Sequence, residues 1–211
     1  MIKLVIFDLD GVLVDACEWH RVALNKALLE ICDYEIPLEE HYSTFNGLPT
    51  KEKLKLLTKQ KLVKRKDYEA ISQRKQELTL ELIGSNCLLD QTKIDLMKAL
   101  KAKGIHIACF TNSIRQTAEL MLKKTGVLDL LEELVTNEDV KKPKPSPEGY
   151  LKVIRKFKVP KKNVVIVEDS PKGHAAAQAA VGASVPGNRG LVIAVTNARA
   201  VDIDLFTEWL K

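Results

Sequence analysis

Two aspartates, Asp8 and Asp10, follow a short apolar segment, Lys3 to Phe7, near the start of the chain. Alternate residues of an extended chain point the same way, so both carboxylates would face one point at the carboxyl end of a strand. Ligands of open α/β sheets bind at that end. Close carboxylates repel each other and raise each other's pKa, which a bound cation would relieve. A polar turn is the alternative interpretation, since aspartate is common in turns.

Polar residues also follow three later segments that have the composition of buried strands. They are Thr111 and Asn112 after segment 105–110, Lys142 after segment 134–136, and Glu168 and Asp169 after segment 163–167. In a parallel sheet these strand ends lie side by side, so the polar groups should converge on one site. Carboxylates without nearby histidine or cysteine favour Mg²⁺, and Mg²⁺ with a lysine and a hydroxyl suits a phosphoryl group. The lack of a Walker-type glycine loop argues against a nucleoside triphosphatase.

The elements that must position these residues alternate between helix and strand from about residue 86 onward. Such alternation predicts right-handed crossovers and a parallel sheet with helices on both faces. Between Asp15 and Gly84 the pattern contains only helices and loops, which predicts an inserted helical domain. The predicted fold is therefore α/β, with a Rossmann-like core domain formed by residues 1–14 and 85–211 and an all-helical domain formed by residues 15–84.

Composition excludes several classes of function. The 211 residues carry a net charge of +5, but acidic and basic residues are interspersed and aromatics make up only 5%, which argues against nucleic-acid binding. The four cysteines form no CxxC pair or metal cluster, which is typical of a reducing cytoplasm. The opening apolar run is too short to span a membrane and lacks a signal-peptide pattern, so we expect a cytoplasmic protein without membrane contact.

The chain resembles the haloacid dehalogenase-like (HAD) superfamily of phosphohydrolases, in the branch of β-phosphoglucomutases and small sugar phosphatases with a helical cap. The resemblance covers nearly the whole chain. In order, the matching segments are DLDGV at 8–12, FTNS at 110–113, KPKP at 142–145 and VEDS at 167–170. Each motif alone is weak, and the four in sequence order are specific.

The resemblance implies a role for each acidic residue of these motifs. Asp8 would be the nucleophile and a Mg²⁺ ligand. Asp10 would be the general acid toward the leaving oxygen and then the base for water, with its backbone carbonyl on the metal. Asp169 would bind the metal directly, and Glu168 would lie in its inner or outer shell.

The remaining motif residues and the cap would bind the substrate. Thr111 and Asn112 would hold phosphoryl oxygens. Lys142 would neutralise the charge of the nucleophile and phosphoryl group, because the family lysine precedes the first proline of its motif; Lys141 and Lys144 are the alternatives. The helical domain would be a mobile cap that excludes water and recognises the leaving group, with substrate contacts from His20, Lys51 and Lys75. For His20 and Lys75, an exposed residue on the surface of a helix is the alternative interpretation.

The predicted function is Mg²⁺-dependent hydrolysis of a small phosphomonoester, a sugar phosphate in the first place, through an aspartyl-phosphate and by a monomeric enzyme. A β-phosphoglucomutase-like phosphomutase is the alternative, but the mutase branch grips a second phosphate with an arginine where this chain has Thr50 and a lysine where it has Ile114. A non-catalytic binding protein on the same fold is a third reading, against which the intact motifs argue. The sequence assigns no role to the loop from Ser184 to Gly190.

Overall fold

A computed structural model describes residues 1–182 and 190–210 of the chain. The chain divides into two compact units, one formed by Met1–Asp15 with Leu88–Lys211 and the other by Ala16–Cys87. The unassigned loop from Ser184 to Gly190 lies outside the described residues except for Gly190. In the described part of the chain, the helices fall short of the length and hydropathy that a membrane span requires.

The first unit is a five-stranded parallel sheet in the order β3-β2-β1-β4-β5, flanked by helices. Its strands are β1 Leu4–Phe7, β2 His106–Phe110, β3 Glu133–Val135, β4 Val164–Glu168 and β5 Leu191–Ala194. Its helices are α5 Gln91–Ala102, α6 Arg115–Thr125, α7 Glu148–Phe157, α8 Pro171–Val181 and the short α9 Thr207–Leu210. This arrangement confirms the predicted α/β class with a Rossmann-like parallel sheet.

The central strands are buried on both faces, as their near-continuous apolar sequences require. Leu4 and Ile6 point into a cluster with residues of α7 and α8. Phe7 points the other way and packs against Phe206, with ring centroids 5.9 Å apart. Strand β1 is paired in register with β2 on one side and β4 on the other, with Phe7 opposite Val167 of β4. The residues that follow these strands therefore start from one edge of the sheet.

The second unit contains only helices and turns. Its helices are α1 Cys17–Cys32, the one-turn α2 Leu38–Glu40, α3 Thr50–Lys59 and α4 Tyr68–Asn86. Helices α1 and α4 pack along each other around a core of their own, which includes Leu24, Phe45 and Ile71. A π-helical turn, His41–Phe45, lies between α2 and α3.

Candidate active site

Asp8 is the first residue after β1, and Glu168 is the last residue of β4. The backbone N–H of Asp8 donates to the carbonyl of Val167 at 3.0 Å, which extends the strand pairing to the site. Asp8 is 6% exposed and Glu168 is fully buried. Carboxylate oxygens of Asp8, Glu168 and Asp169 lie within 4.8 Å of one another. The predicted convergence of acidic strand ends is thus present in the geometry.

Lys144 supplies the positive charge at the centre of this cluster. Its Nζ donates to Asp8 Oδ1 and to Glu168 Oε1, both at 2.5 Å, and its side chain is 4% exposed. The ammonium also lies 4.8 Å from the ring centroid of Phe110 and 5.0 Å from that of Tyr150. Burial lowers the pKa of Lys144, but the two carboxylates outweigh burial and raise it above the ordinary value of a lysine. Lys144 is therefore a permanently charged, fixed cation.

The prediction that Lys142 contacts the nucleophile is wrong, because Lys144 makes that contact. The Lys142 side chain is exposed. The backbone N–H of Lys142 donates to Glu148 Oε2 at 3.0 Å, and the backbone N–H of Lys141 donates to Glu148 Oε1 at 2.8 Å. Glu148 is the first residue of α7, so it ties this part of the loop to the start of the helix. The second lysine-proline pair of the motif, Lys144 with Pro145, is the one that reaches the carboxylates.

Asn112 positions this lysine. Its Oδ1 accepts from the backbone N–H of Lys144 at 3.0 Å, and its Nδ2 donates to the Lys144 carbonyl at 3.4 Å. The Asn112 side chain therefore fixes the backbone from which Lys144 projects. Contact of Asn112 with phosphoryl oxygens stays a prediction.

Tyr150, in α7, was missed by the sequence reasoning. Its hydroxyl donates to Glu168 Oε1, the oxygen that Lys144 also contacts. The ring is fully buried and packs edge-on against Phe110 with centroids 4.9 Å apart. An amphipathic helix places a tyrosine ring in a core for apolar reasons alone, so the pattern contained no signal for the hydroxyl's role. Tyr150 and Lys144 together leave Glu168 well satisfied.

Asp10 and Thr111 meet at the same edge. Asp10 lies in the turn after β1, and Thr111 follows β2. The Thr111 hydroxyl donates to Asp10 Oδ2 at 3.3 Å, and the Ser113 hydroxyl donates to the same oxygen at 2.8 Å. Gly11 makes this turn with a φ of +90°, and a Cβ there would lie 2.2 Å from Asp169 Oδ2. Only glycine fits both requirements.

The acidic cluster has the electrostatics of a cation site. Burial, followed by the charge of Glu168, raises the pKa of Asp8 well above its ordinary value, against the opposing effect of Lys144. Burial, Glu168 and Asp10 raise the pKa of Asp169 to about 7. Within the described residues, Asp169 Oδ1 is buried and lacks a hydrogen-bond partner. Hard carboxylate oxygens with one unsatisfied buried acceptor fit a Mg²⁺ ion.

The other predicted substrate residues belong to the unit Ala16–Cys87. Lys75, in α4, has its Nζ 3.1 Å from His20 Nδ1 in α1. Lys51, in the first turn of α3, is exposed. Contact of these three side chains with a substrate stays a prediction.

Known proteins resemble this chain over most of its length. A model of the haloacid dehalogenase-like hydrolase family matches residues 5–185. A putative pyrophosphatase PpaX of Clostridium perfringens is 30% identical over 172 residues, which cover 81% of this chain and 77% of that protein. A phosphorylated carbohydrates phosphatase of Thermotoga maritima is 28% identical over 180 residues, covering 83% and 80%. The crystal structure of a β-phosphoglucomutase from Clostridium difficile superposes with a TM-score of 0.78 at 23% identity, covering 100% of this chain and 97% of that one.

Proposed function

Because this chain belongs to the haloacid dehalogenase-like hydrolases and is a phosphatase of phosphorylated substrates, we propose that it is a Mg²⁺-dependent enzyme that hydrolyses small phosphomonoesters through an aspartyl-phosphate on Asp8. Sugar phosphates are the proposed substrate class, supported by the likeness to a phosphatase of phosphorylated carbohydrates. The observation that carries the proposal is the placement of Lys144 2.5 Å from Asp8, within a cluster of three carboxylates.

Asp8 is suited to attack phosphorus because Lys144 contacts its buried carboxylate and opposes the rise in pKa that burial and Glu168 cause. A bond forms between an Asp8 oxygen and phosphorus, and the bond from phosphorus to the leaving oxygen breaks. Asp10 gives a proton to that leaving oxygen. Asp10 then takes a proton from a water molecule that attacks the phosphorus, which releases inorganic phosphate and restores Asp8. In this proposal the Thr111 hydroxyl donates to a phosphoryl oxygen.

Asp8 and Asp169 would hold the Mg²⁺ ion, together with the backbone carbonyl of Asp10 that the family resemblance implies. When bound, Mg²⁺ supplies positive charge beside the phosphoryl oxygens. Glu168 is better placed in the outer shell, because its Oε1 already accepts from Lys144 and Tyr150. The charge of Glu168 then acts mainly on the position of Lys144.

We further propose that residues 15–84 act as the cap, with His20, Lys51 and Lys75 as contacts to the leaving group. The proximity of the His20 and Lys75 nitrogens supports a shared polar site in this unit. A cap would exclude water from the aspartyl-phosphate until the leaving group has departed.

Arg115 weighs against the mutase alternative. A mutase needs a second phosphate grip near the second motif, and Arg115 is the cation closest in sequence to that position. Its guanidinium donates to Asp139 at 2.6 Å, to Glu119 at 3.2 Å and to the carbonyl of Leu134 at 3.3 Å. These bonds commit Arg115 to the surface of its own unit, which supports transfer of the phosphate to water.

The test is release of inorganic phosphate from p-nitrophenyl phosphate and from a panel of sugar phosphates, with Mg²⁺ and after its removal by a chelator. We expect Mg²⁺-dependent release that disappears in Asp8→Asn and persists in the matched control Asp95→Asn, an exposed residue of α5. Full activity of Asp8→Asn would remove the nucleophile assignment. Conversion of β-glucose 1-phosphate to glucose 6-phosphate without free phosphate, in the presence of a catalytic bisphosphate, would establish the mutase instead.

A further inference from the structure

Ser113 makes a short hydroxyl contact to Asp10. Its Oγ donates to Asp10 Oδ2 at 2.8 Å, whereas the Thr111 hydroxyl lies 3.3 Å from the same oxygen. Both hydroxyls belong to the loop that follows β2, and Asp10 belongs to the turn that follows β1. Two hydroxyl donors that follow β2 therefore bond the same oxygen of Asp10, which follows the neighbouring strand β1.

The loop fixes Ser113 from its backbone. The N–H of Ser113 donates to the Thr111 hydroxyl oxygen at 2.9 Å, and its carbonyl accepts from the N–H of Asn137 at 3.3 Å. Replacement of the side chain alone leaves both backbone bonds in place. The Ser113 hydroxyl is thus carried by a constrained backbone and is separable from the fold.

Thr111 has a competing role in the proposed reaction. Its hydroxyl is expected to donate to a phosphoryl oxygen once substrate binds, and one hydroxyl hydrogen cannot serve the phosphoryl oxygen and Asp10 together. The Ser113 hydroxyl can then keep its bond to Asp10. A serine hydroxyl both donates and accepts, so it can bond the Asp10 carboxyl in its ionised and in its protonated form.

We infer that Ser113 is a positioning residue for Asp10: its hydroxyl orients the Asp10 carboxyl for proton transfer to the leaving oxygen. This inference rests on the proposed function, in which Asp10 is the general acid. General acid catalysis requires the proton donor within hydrogen-bond reach of the oxygen that it protonates, so a carboxyl group free to rotate would lose part of its effect.

The predicted signature is a dependence on the leaving group. A p-nitrophenolate ion is stable and departs with little help from an acid, whereas a phenolate and above all a sugar alkoxide need the proton. A residue that positions the acid should therefore affect poor leaving groups selectively. A residue that only supports the fold should affect all substrates alike.

The experiment measures kcat/KM for a series of substituted phenyl phosphates and for the best sugar phosphate of the panel. The quantity kcat/KM covers the steps up to departure of the leaving group, so hydrolysis of the aspartyl-phosphate does not mask the effect. For Ser113→Ala we expect a loss of about tenfold or more toward the sugar phosphate and of less than about threefold toward p-nitrophenyl phosphate. The plot of log kcat/KM against leaving-group pKa should become steeper, as in Asp10→Asn.

Three further variants complete the test. Ser113→Thr keeps the hydroxyl and should recover most of the loss. Ser113→Cys keeps most of the side-chain volume but has a weaker hydrogen-bond donor, and it replaces Ser113→Ala in the slope measurement if the alanine variant does not fold. Ser146→Ala is the matched control, because the Ser146 hydroxyl accepts from the backbone N–H of Glu148, at 3.3 Å. Its slope should equal that of the unmodified protein.

An unchanged slope in both Ser113→Ala and Ser113→Cys, with a steeper slope in Asp10→Asn, would overturn the inference and leave the proposed function intact. An equal loss on every substrate would overturn it also, since that result indicates a structural role. If Asp10→Asn itself has an unchanged slope, Asp10 is not the acid and the inference fails with that assignment. Absence of phosphate release by the unmodified protein would instead refute the proposed function.

Discussion

Replacement of Lys144 by methionine tests the central contact of the candidate site. Methionine keeps the length and apolar stem of the side chain and removes its charge, so the pocket between the rings of Phe110 and Tyr150 stays filled. Asp8 and Glu168 would then lose the ammonium that each contacts at 2.5 Å. We expect their mutual repulsion to favour a protonated carboxyl on one of them, which would make Asp8 a poorer nucleophile.

The size of the effect follows from the contact distances. At an effective dielectric constant of 20, two unit charges 2.5 Å apart attract each other by about 7 kcal/mol. Desolvation of the buried charges offsets part of this attraction, and removal of one partner from a buried ion pair costs about 3–5 kcal/mol. If that loss falls on the transition state, kcat/KM decreases by about 10²- to 5 × 10³-fold.

The assay is phosphate release from p-nitrophenyl phosphate at saturating Mg²⁺, with the circular dichroism spectrum and the Tm as checks of folding. Lys142→Met is the matched control, because the Lys142 side chain is exposed and belongs to the same motif. We expect this control to stay within about twofold of the unmodified protein, since surface substitutions have small effects. A folded Lys144→Met protein with full activity, or an equal loss in Lys142→Met, would refute the assignment of Lys144.

Two further predictions concern Gly11 and His41. Gly11→Ala puts a Cβ at a φ of +90° and 2.2 Å from Asp169 Oδ2, so it should lower the free energy of unfolding by about 1–3 kcal/mol and decrease phosphate release at least about tenfold. The control Gly84→Ala, in α4 with open space at its Cβ, should instead raise the free energy of unfolding by about 0.5–1 kcal/mol in a urea titration. Equal effects of the two changes would contradict the reasoning. Burial, followed by the charge of Lys53, lowers the pKa of His41 from 6.5 to about 4. Between pH 6.5 and about pH 4, His41 binds a proton only in the unfolded chain, so the free energy of unfolding should fall by up to about 3 kcal/mol as the pH decreases through this range. A His41→Phe protein with the same pH dependence would disprove this assignment.

The convergence of the acidic residues was predictable because it follows from sheet topology. A parallel sheet brings the carboxyl ends of its strands to one edge, so the strands that precede Asp8, Thr111 and Asp169 determine where these residues meet. The apolar strands are recognisable from sequence since each is buried on both faces. The family predicted from the four motifs is confirmed by the family match over residues 5–185.

The position of the lysine was not predictable from the motif. Two lysine-proline pairs follow each other, and only the path of the loop decides which side chain enters the site. Glu148, at the first position of α7, accepts from the backbone N–H groups of Lys141 and Lys142 and leaves the Lys142 side chain exposed. The Asn112 side chain then fixes the backbone of Lys144. The contacts of Glu148 and of Asn112 each join the lysine motif to a residue outside it, so the motif alone does not reveal them.

The charges of the site explain why cation binding and phosphate binding should depend on each other. Three buried or half-buried carboxylates, those of Asp8, Glu168 and Asp169, lie close together, and the ammonium of Lys144 contacts the first two. A phosphomonoester would bring further negative charge into this region, which the carboxylates oppose. Lys144 contacts Asp8 and Glu168 and does not satisfy Asp169. In the described part of the chain, Asp169 is the acidic residue with a buried oxygen that lacks a hydrogen-bond partner. A divalent cation at Asp8 and Asp169 would satisfy that oxygen and neutralise the local negative charge, and by linkage a bound phosphate group would in turn favour the cation.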